Sequence, residues 1–186
     1  MNPQVSNSSY NNDWFKKEIG ASSFKQMTWY FVNVLFFINP LNPGSGIKRA
    51  LLRLFGARIG RGVVLKPGIN IKYPWKLAIG DYSWIGEKVW IDNLAFVGIG
   101  KNVCISQGAL LLTGNHDYTK TSFDLSVKDI VLEDGVWIGT RAMVCPGVVC
   151  ASHAVLTAAS IATSNLDAYK IYRGNPAVYI RDRVIN

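Results

Sequence analysis

Aliphatic residues recur at every sixth position along most of this chain. Ile59, Leu65, Ile71 and Leu77 set the rhythm; it resumes after a two-residue phase shift as Ile79, Ile85, Ile91 and Val97, and after a second as Ile99, Ile105 and Leu111. Beyond an interruption it returns as Leu132, Ile138, Val144, Cys150 and Leu156, and only Cys150 breaks the aliphatic rule. A period of six fits neither an amphipathic helix, at about 3.6 residues per turn, nor a strand alternating at two. The unit must be a short strand plus a turn, and repetition at fixed spacing means that the units stack.

Four residues after each aliphatic position the side chain is usually small: Val63, Ser83, Val89, Ala95, Val103, Ala109, Val136, Ala142, Val148, Ala154 and Ser160. Glycine follows directly at Gly60, Gly80, Gly86, Gly100 and Gly139. This is the hexapeptide pattern of an all-β fold, the left-handed parallel β-helix, in which three units make one triangular coil with the aliphatic side chains inside. Small residues fit near the corners, where glycine is expected to relieve a tight backbone. A sandwich with regular turn spacing would show period two instead.

The β-helix is expected over 57–165, after an N-terminal extension of 1–56 and before a tail of 166–186. Within the extension, Ser23 to Asn39 and Ile47 to Phe55 read as two short helices separated by Pro40 and Pro43. They are expected to cap the open end of the prism, which would otherwise expose core and unpaired backbone. The phase shifts near Leu77 and Val97 read as insertions at corners.

The 186 residues suit one domain, and a hydrophobic share of 49% with 17% charged excludes a disordered chain. A net charge of +8 suits nucleic acid, an anionic membrane or a phosphorylated ligand. The basic residues are scattered and no nucleic-acid motif accompanies them, so no nucleic-acid partner is expected. Cys104, Cys145 and Cys150 form no C-x-x-C pair, and their odd number points to reduced thiols in a cytoplasmic protein. Met1 to Asn12 lacks the pattern of a secretory signal. The apolar run Met27 to Ile38, interrupted by Asn33, falls short of the roughly 20 residues that span a bilayer. A soluble or peripherally attached protein is expected.

The interruption, near 113–130, opens with Leu112-Thr113-Gly114-Asn115-His116-Asp117-Tyr118 and runs polar through Lys128. A solenoid tolerates insertions as loops on one face, and such loops commonly carry function. His116, where the loop leaves the coil, is the candidate for chemistry. His153, inside the regular repeat, reads as structural, and Cys150 as a core substitute.

The hexapeptide run, Gly114-Asn115-His116-Asp117 before the loop, Val136-Trp137-Ile138-Gly139 after it, and Gly174-Asn175-Pro176-Ala177 near the end together resemble the hexapeptide acyltransferases. Within them the chain is most similar to the colanic acid biosynthesis acetyltransferases, relatives of the maltose and galactoside acetyltransferases. The resemblance implies a homotrimer of parallel prisms, with acetyl-CoA as cosubstrate in the groove between subunits and no metal. It implies acetyl transfer to a sugar hydroxyl in cell-surface polysaccharide synthesis, with His116 as general base and Thr140 as donor to the oxyanion. Asp92, Asn93, Asn115 and Asp117 fall at acceptor-binding positions, and Trp137, Gly139, Thr140, Ala158, Thr163 and Arg181 at CoA-binding ones. Ser164 stands where relatives often have lysine and Val178 where they often have a basic residue, which moves phosphate contacts toward Lys170, Arg173 or Arg183.

Two rivals keep the fold. The γ-class carbonic anhydrases need three histidines on zinc, and this chain has two. A non-catalytic scaffold would not need His116 in an interrupting loop. Polysaccharide precursors in such pathways are lipid-linked, so the N-terminal helix offers peripheral contact with the inner leaflet, in competition with packing on the prism.

Overall fold

Three two-residue strands, Arg58–Ile59, Val64–Leu65 and Asn70–Ile71, form the sides of the first coil, and every later coil lays its strands parallel on top of them. The first face stacks Arg58–Ile59, Leu77–Ile79, Val97–Ile99, Ile130–Leu132 and Val149–Cys150. The second stacks Val64–Leu65, Trp84–Ile85, Cys104–Ile105, Trp137–Ile138, Val155–Leu156 and Lys170–Gly174, and ends in the antiparallel strand Ala177–Asp182. The third stacks Asn70–Ile71, Trp90–Asp92, Leu110–Leu112, Met143–Val144 and Ile161–Ala162. This computed structural model describes residues 4–42 and 44–186 and is the left-handed parallel β-helix that the six-residue period predicts. Met1 to Pro3 and Pro43 lie outside the described residues.

Every aliphatic position of the repeat, and each small residue four places later, is buried. The phase shifts have a sharper meaning than corner insertions alone. Leu77 and Ile79 both face the core from one three-residue strand, as do Val97 and Ile99, because alternate residues of a strand share a face. The preceding corner is lengthened, in the first instance by a helical turn at Pro74–Lys76, so that Arg58, Ala78 and Gly98 stack twenty residues apart. Later coils tighten to eighteen, as in Trp137 on Val155. Ile130 repeats the device after the loop and is a core position that the period alone misses.

The repeat glycines serve close stacking rather than an unusual backbone. A Cβ on Gly80 would lie 2.6 Å from the Gly100 carbonyl carbon, and one on Gly139 would lie 2.5 Å from the Ala158 nitrogen. The left-handed backbone falls two residues further on, where Tyr82, Lys88, Asn102 and Arg141 accept positive φ.

Among the described residues, three α-helices precede the coils: α1 (Asp13–Glu18), α2 (Ser23–Val32) and α3 (Ser45–Leu54). The short α1 carries too few apolar repeats to stand out in the sequence; Phe15 is buried, and the Trp75 indole donates to the Ile19 carbonyl at 2.6 Å. Ser22 caps α2 by accepting from the Lys25 amide, and beyond Val32 the helix widens until the Asn39 amide reaches the Val34 carbonyl. Trp29 and Phe37 enter the core, and the Trp29 indole donates to the Ile71 carbonyl at 2.8 Å.

On α3 the cations do the capping. Lys48 donates to the Lys66 carbonyl at 3.1 Å, Arg49 to Val63 at 2.7 Å and Arg53 to Ile59 at 2.8 Å. Each carbonyl left unpaired in a buried edge would cost about 1–3 kcal/mol, so the first coil is closed by side chains where the next strand is missing.

Candidate active site

The loop folds back as a hairpin, with Gly114–His116 antiparallel to Leu125–Val127. Phe123, at φ 50°, turns its carbonyl toward the imidazole, and His116 Nδ1 lies 2.9 Å from that oxygen. A carbonyl only accepts, so Nδ1 carries the proton and the neutral ring keeps its lone pair on Nε2. The His116 and Phe123 rings stack at 4.4 Å and 4°, and Tyr10 approaches from the N-terminal segment at 5.8 Å. That segment is tied to the loop by the Ser6 amide on the Thr121 carbonyl.

A cleft of about 690 Å³ opens here, between the loop and the corners that follow the third face. Asn115, His116 and Asp117 line it with Lys120, Lys128 and Thr163. The Asn115 Oδ1 accepts from the His116 amide, and the Asp117 carboxylate accepts from the Thr119 hydroxyl at 2.6 Å and from its amide. Those bonds, with Lys120 nearby, hold the Asp117 carboxyl below the usual range, and the Lys120 ammonium is held up by Asp124. Cys145 also lines the cleft, but burial pushes its thiol up, away from the thiolate that a nucleophile requires.

The other two acceptor candidates lie apart. Asn93 is fully buried, with its oxygen on the Tyr73 amide and its nitrogen on the Tyr73 carbonyl at 2.6 Å, so its amide serves the preceding corner. Asp92 stacks one coil from Leu112 yet lines a different cleft, of about 370 Å³, beneath α2. Its Oδ1 is buried and 3.1 Å from Lys72 Nζ, a close charge contact whose angle does not make a hydrogen bond.

Most CoA candidates gather on a second surface. Trp137, Val155, Ile171 and Arg181 occupy one continuous register column across the second face. Trp137 is half exposed and donates to the Ser106 hydroxyl at 3.0 Å; Arg181 is exposed at the column's end. Thr140, whose hydroxyl meets Gln107, and Ala158, stacked on Gly139, form the adjoining corner between the second and third faces. Thr163 is the exception, since it lies in the His116 cleft. Among the basic alternatives, Lys170 is bound to Asp167 and Arg183 donates to the Gly135 and His153 carbonyls, whereas Arg173 is exposed.

The two groups therefore flank the third face from opposite corners of the same prism. Sequence reasoning missed the Phe123 carbonyl, Tyr10, Lys120 and Lys128. No motif marks them, because the hairpin and the N-terminal segment bring them to His116 only in three dimensions.

A parallel β-helix built on a six-residue repeat and interrupted by a histidine-bearing loop defines the class of hexapeptide-repeat proteins. No family model matches the chain. It is 39% identical over 165 residues to a protein of Escherichia coli K12 that bears the name colanic acid biosynthesis acetyltransferase WcaF, spanning 89% of this chain and 91% of that one. The galactoside O-acetyltransferase of the same organism is 26% identical over 80% of this chain and 75% of its own. The crystal structure of a hexapeptide-repeat-containing acetyltransferase from Vibrio cholerae superposes with a TM-score of 0.79 at 23% identity, over 90% of this chain and 98% of that one. A second structure of that protein, in complex with acetyl-CoA, gives 0.71 over 92% and 85%. The chain belongs to the colanic acid biosynthesis acetyltransferases, a hexapeptide-repeat family.

Proposed function

We propose that this acetyltransferase moves acetyl from acetyl-CoA to a hydroxyl of a sugar destined for cell-surface polysaccharide, with His116 as general base. The observation that carries the reading is the imidazole's fixed tautomer. With Nδ1–H given to the Phe123 carbonyl, Nε2 is free to take the proton of a hydroxyl in the cleft. The hydroxyl oxygen then bonds to the thioester carbonyl carbon, the tetrahedral intermediate expels the CoA thiolate, and the imidazolium returns the proton to sulfur. Thr140 is the proposed donor to the oxyanion. Asn115 and the neighbouring Lys128 are the polar groups that a sugar would meet, and Asp117 keeps the loop in shape. Asn93 is left out of the acceptor set because its amide is fully used.

Because Thr140, Ala158, Trp137 and Arg181 lie across the third face from His116, one prism does not complete the site. A homotrimer of parallel prisms would set the His116 corner of one subunit against the Thr140 corner of the next. Thr163 would meet CoA from the histidine side, and Arg173 and Arg181 would take its phosphates. Work in the cytoplasm, at the inner face of the membrane, suits a cosubstrate made there.

Free CoA release with a panel of sugars, nucleotide sugars and polysaccharide fragments tests the reading. Acceptor-stimulated release should fall about 10²- to 10⁴-fold in His116→Ala. Undiminished release in that variant would remove the histidine from the mechanism.

A further inference from the structure

Only part of α2 is used to cap the prism. Trp29, Asn33 and Phe37 face inward, while Phe24, Met27, Phe31, Leu35 and Ile38 form a stripe at helical spacing that faces solvent. Phe24 is 81% exposed and Leu41, just beyond the helix, 87%. On the neighbouring α3, Ile47 and Leu54, seven residues apart, also point outward. A helix with two apolar faces needs two partners, and the prism is only one of them. No helix of the described residues is long and apolar enough to cross a membrane.

The charge around this stripe identifies the second partner. Between Glu18 and Asp81 there is no acidic residue and there are nine Lys and Arg, which is more than the whole chain's surplus of +8. The basic residues are thus concentrated at the capped end, contrary to the scattered distribution expected from the sequence. Lys48, Arg49 and Arg53 bind neutral carbonyls, which leaves their charge uncompensated. Within this stretch, Arg61 and Lys72 meet carboxylates, those of Asp81 and Asp92. Asp92, which lines the cleft beneath α2, and Glu18, near Lys76, are carboxylates that reach this end, and they leave most of its nine cations unmatched. An apolar stripe set in such a predominantly basic field repels a second copy of the same face and complements an anionic lipid surface.

We infer that the capped end of the β-helix, centred on Phe24, Phe31 and Leu35, is a docking surface for an anionic bilayer, with the α2 stripe lying in the headgroup region. The inference is independent of the acetyl-transfer reading, since lipid binding is measured without turnover.

Density-gradient flotation of the full chain with vesicles of phosphatidylglycerol and phosphatidylcholine, and with phosphatidylcholine alone, tests it. The wild-type chain is expected to float with the anionic vesicles, to be released by high salt, and to stay at the bottom with the neutral ones. The Phe24→Ser/Phe31→Ser variant, and separately Leu35→Ser, are expected to lose at least about tenfold in bound fraction, with melting temperature and light-scattering mass unchanged. No flotation of the wild-type chain overturns the inference, as does equal flotation of the variants. A change of mass in both variants does so too, because the stripe would then be an interface between copies.

Discussion

The His116 imidazole is oriented by a backbone carbonyl seven residues along the chain, not by a carboxylate. Such a partner fixes the tautomer without placing a negative charge beside the ring. Asn93 is a lesson of the opposite kind. It sits where an acceptor-binding group is expected, yet three bonds to the Tyr73 and Lys76 backbone consume its amide. Asn93→Ala should therefore act on stability, lowering it by about 1–3 kcal/mol in chemical denaturation. The KM for the acceptor should stay within a factor of about two, and a large KM rise at unchanged stability would restore Asn93 to the binding site.

Among the elements, α3 carries a fully buried amine that couples its packing to pH. Lys48 is fully buried, and desolvation holds its ammonium below the ordinary lysine value. Between that lowered value and about 10.4 the unfolded chain binds a proton that the folded one has released, so raising the pH favours the fold. Below the lowered value both states are protonated and the slope vanishes. The melting temperature of the wild-type chain relative to Lys48→Met should rise as the pH climbs toward 10; a flat or falling difference would mean that the amine is not desolvated.

At the same scale, the coils were legible because every inward position must be apolar, so the six-residue period survives in the sequence. Ile130 was hidden because a strand that turns two residues inward breaks the period. The repeat glycines were visible but misattributed, since a clash with the next coil leaves the same glycine as a positive φ. His116 alone marked the loop in the sequence as a candidate for chemistry. Its geometry was not, since Phe123 and Tyr10 reach the imidazole through a hairpin and a distant segment that no local pattern encodes.

Taken as a whole, the molecule carries the His116 cleft on one edge, the Thr140 and Ala158 corner on another, and a basic, apolar end. The sequence motifs named most of the residues on both edges but could not show that the third face lies between them: winding stacks Ala158 on Gly139, nineteen residues back, yet sends Thr163, five residues on, to the His116 corner. In the proposed trimer, the His116 corner of one subunit completes the Thr140 and Ala158 corner of another. Two variants expected to be inactive, His116→Ala and Ala158→Trp, the second filling the proposed CoA corner, separate the two edges. Co-expressed and purified together through different tags, they would form, in the proposed trimer, mixed assemblies in which one junction pairs an intact His116 with an intact Ala158 corner. Acceptor-dependent CoA release should then reappear in the mixture although each variant alone has lost it. No recovery in mixed trimers of proven composition would contradict the account.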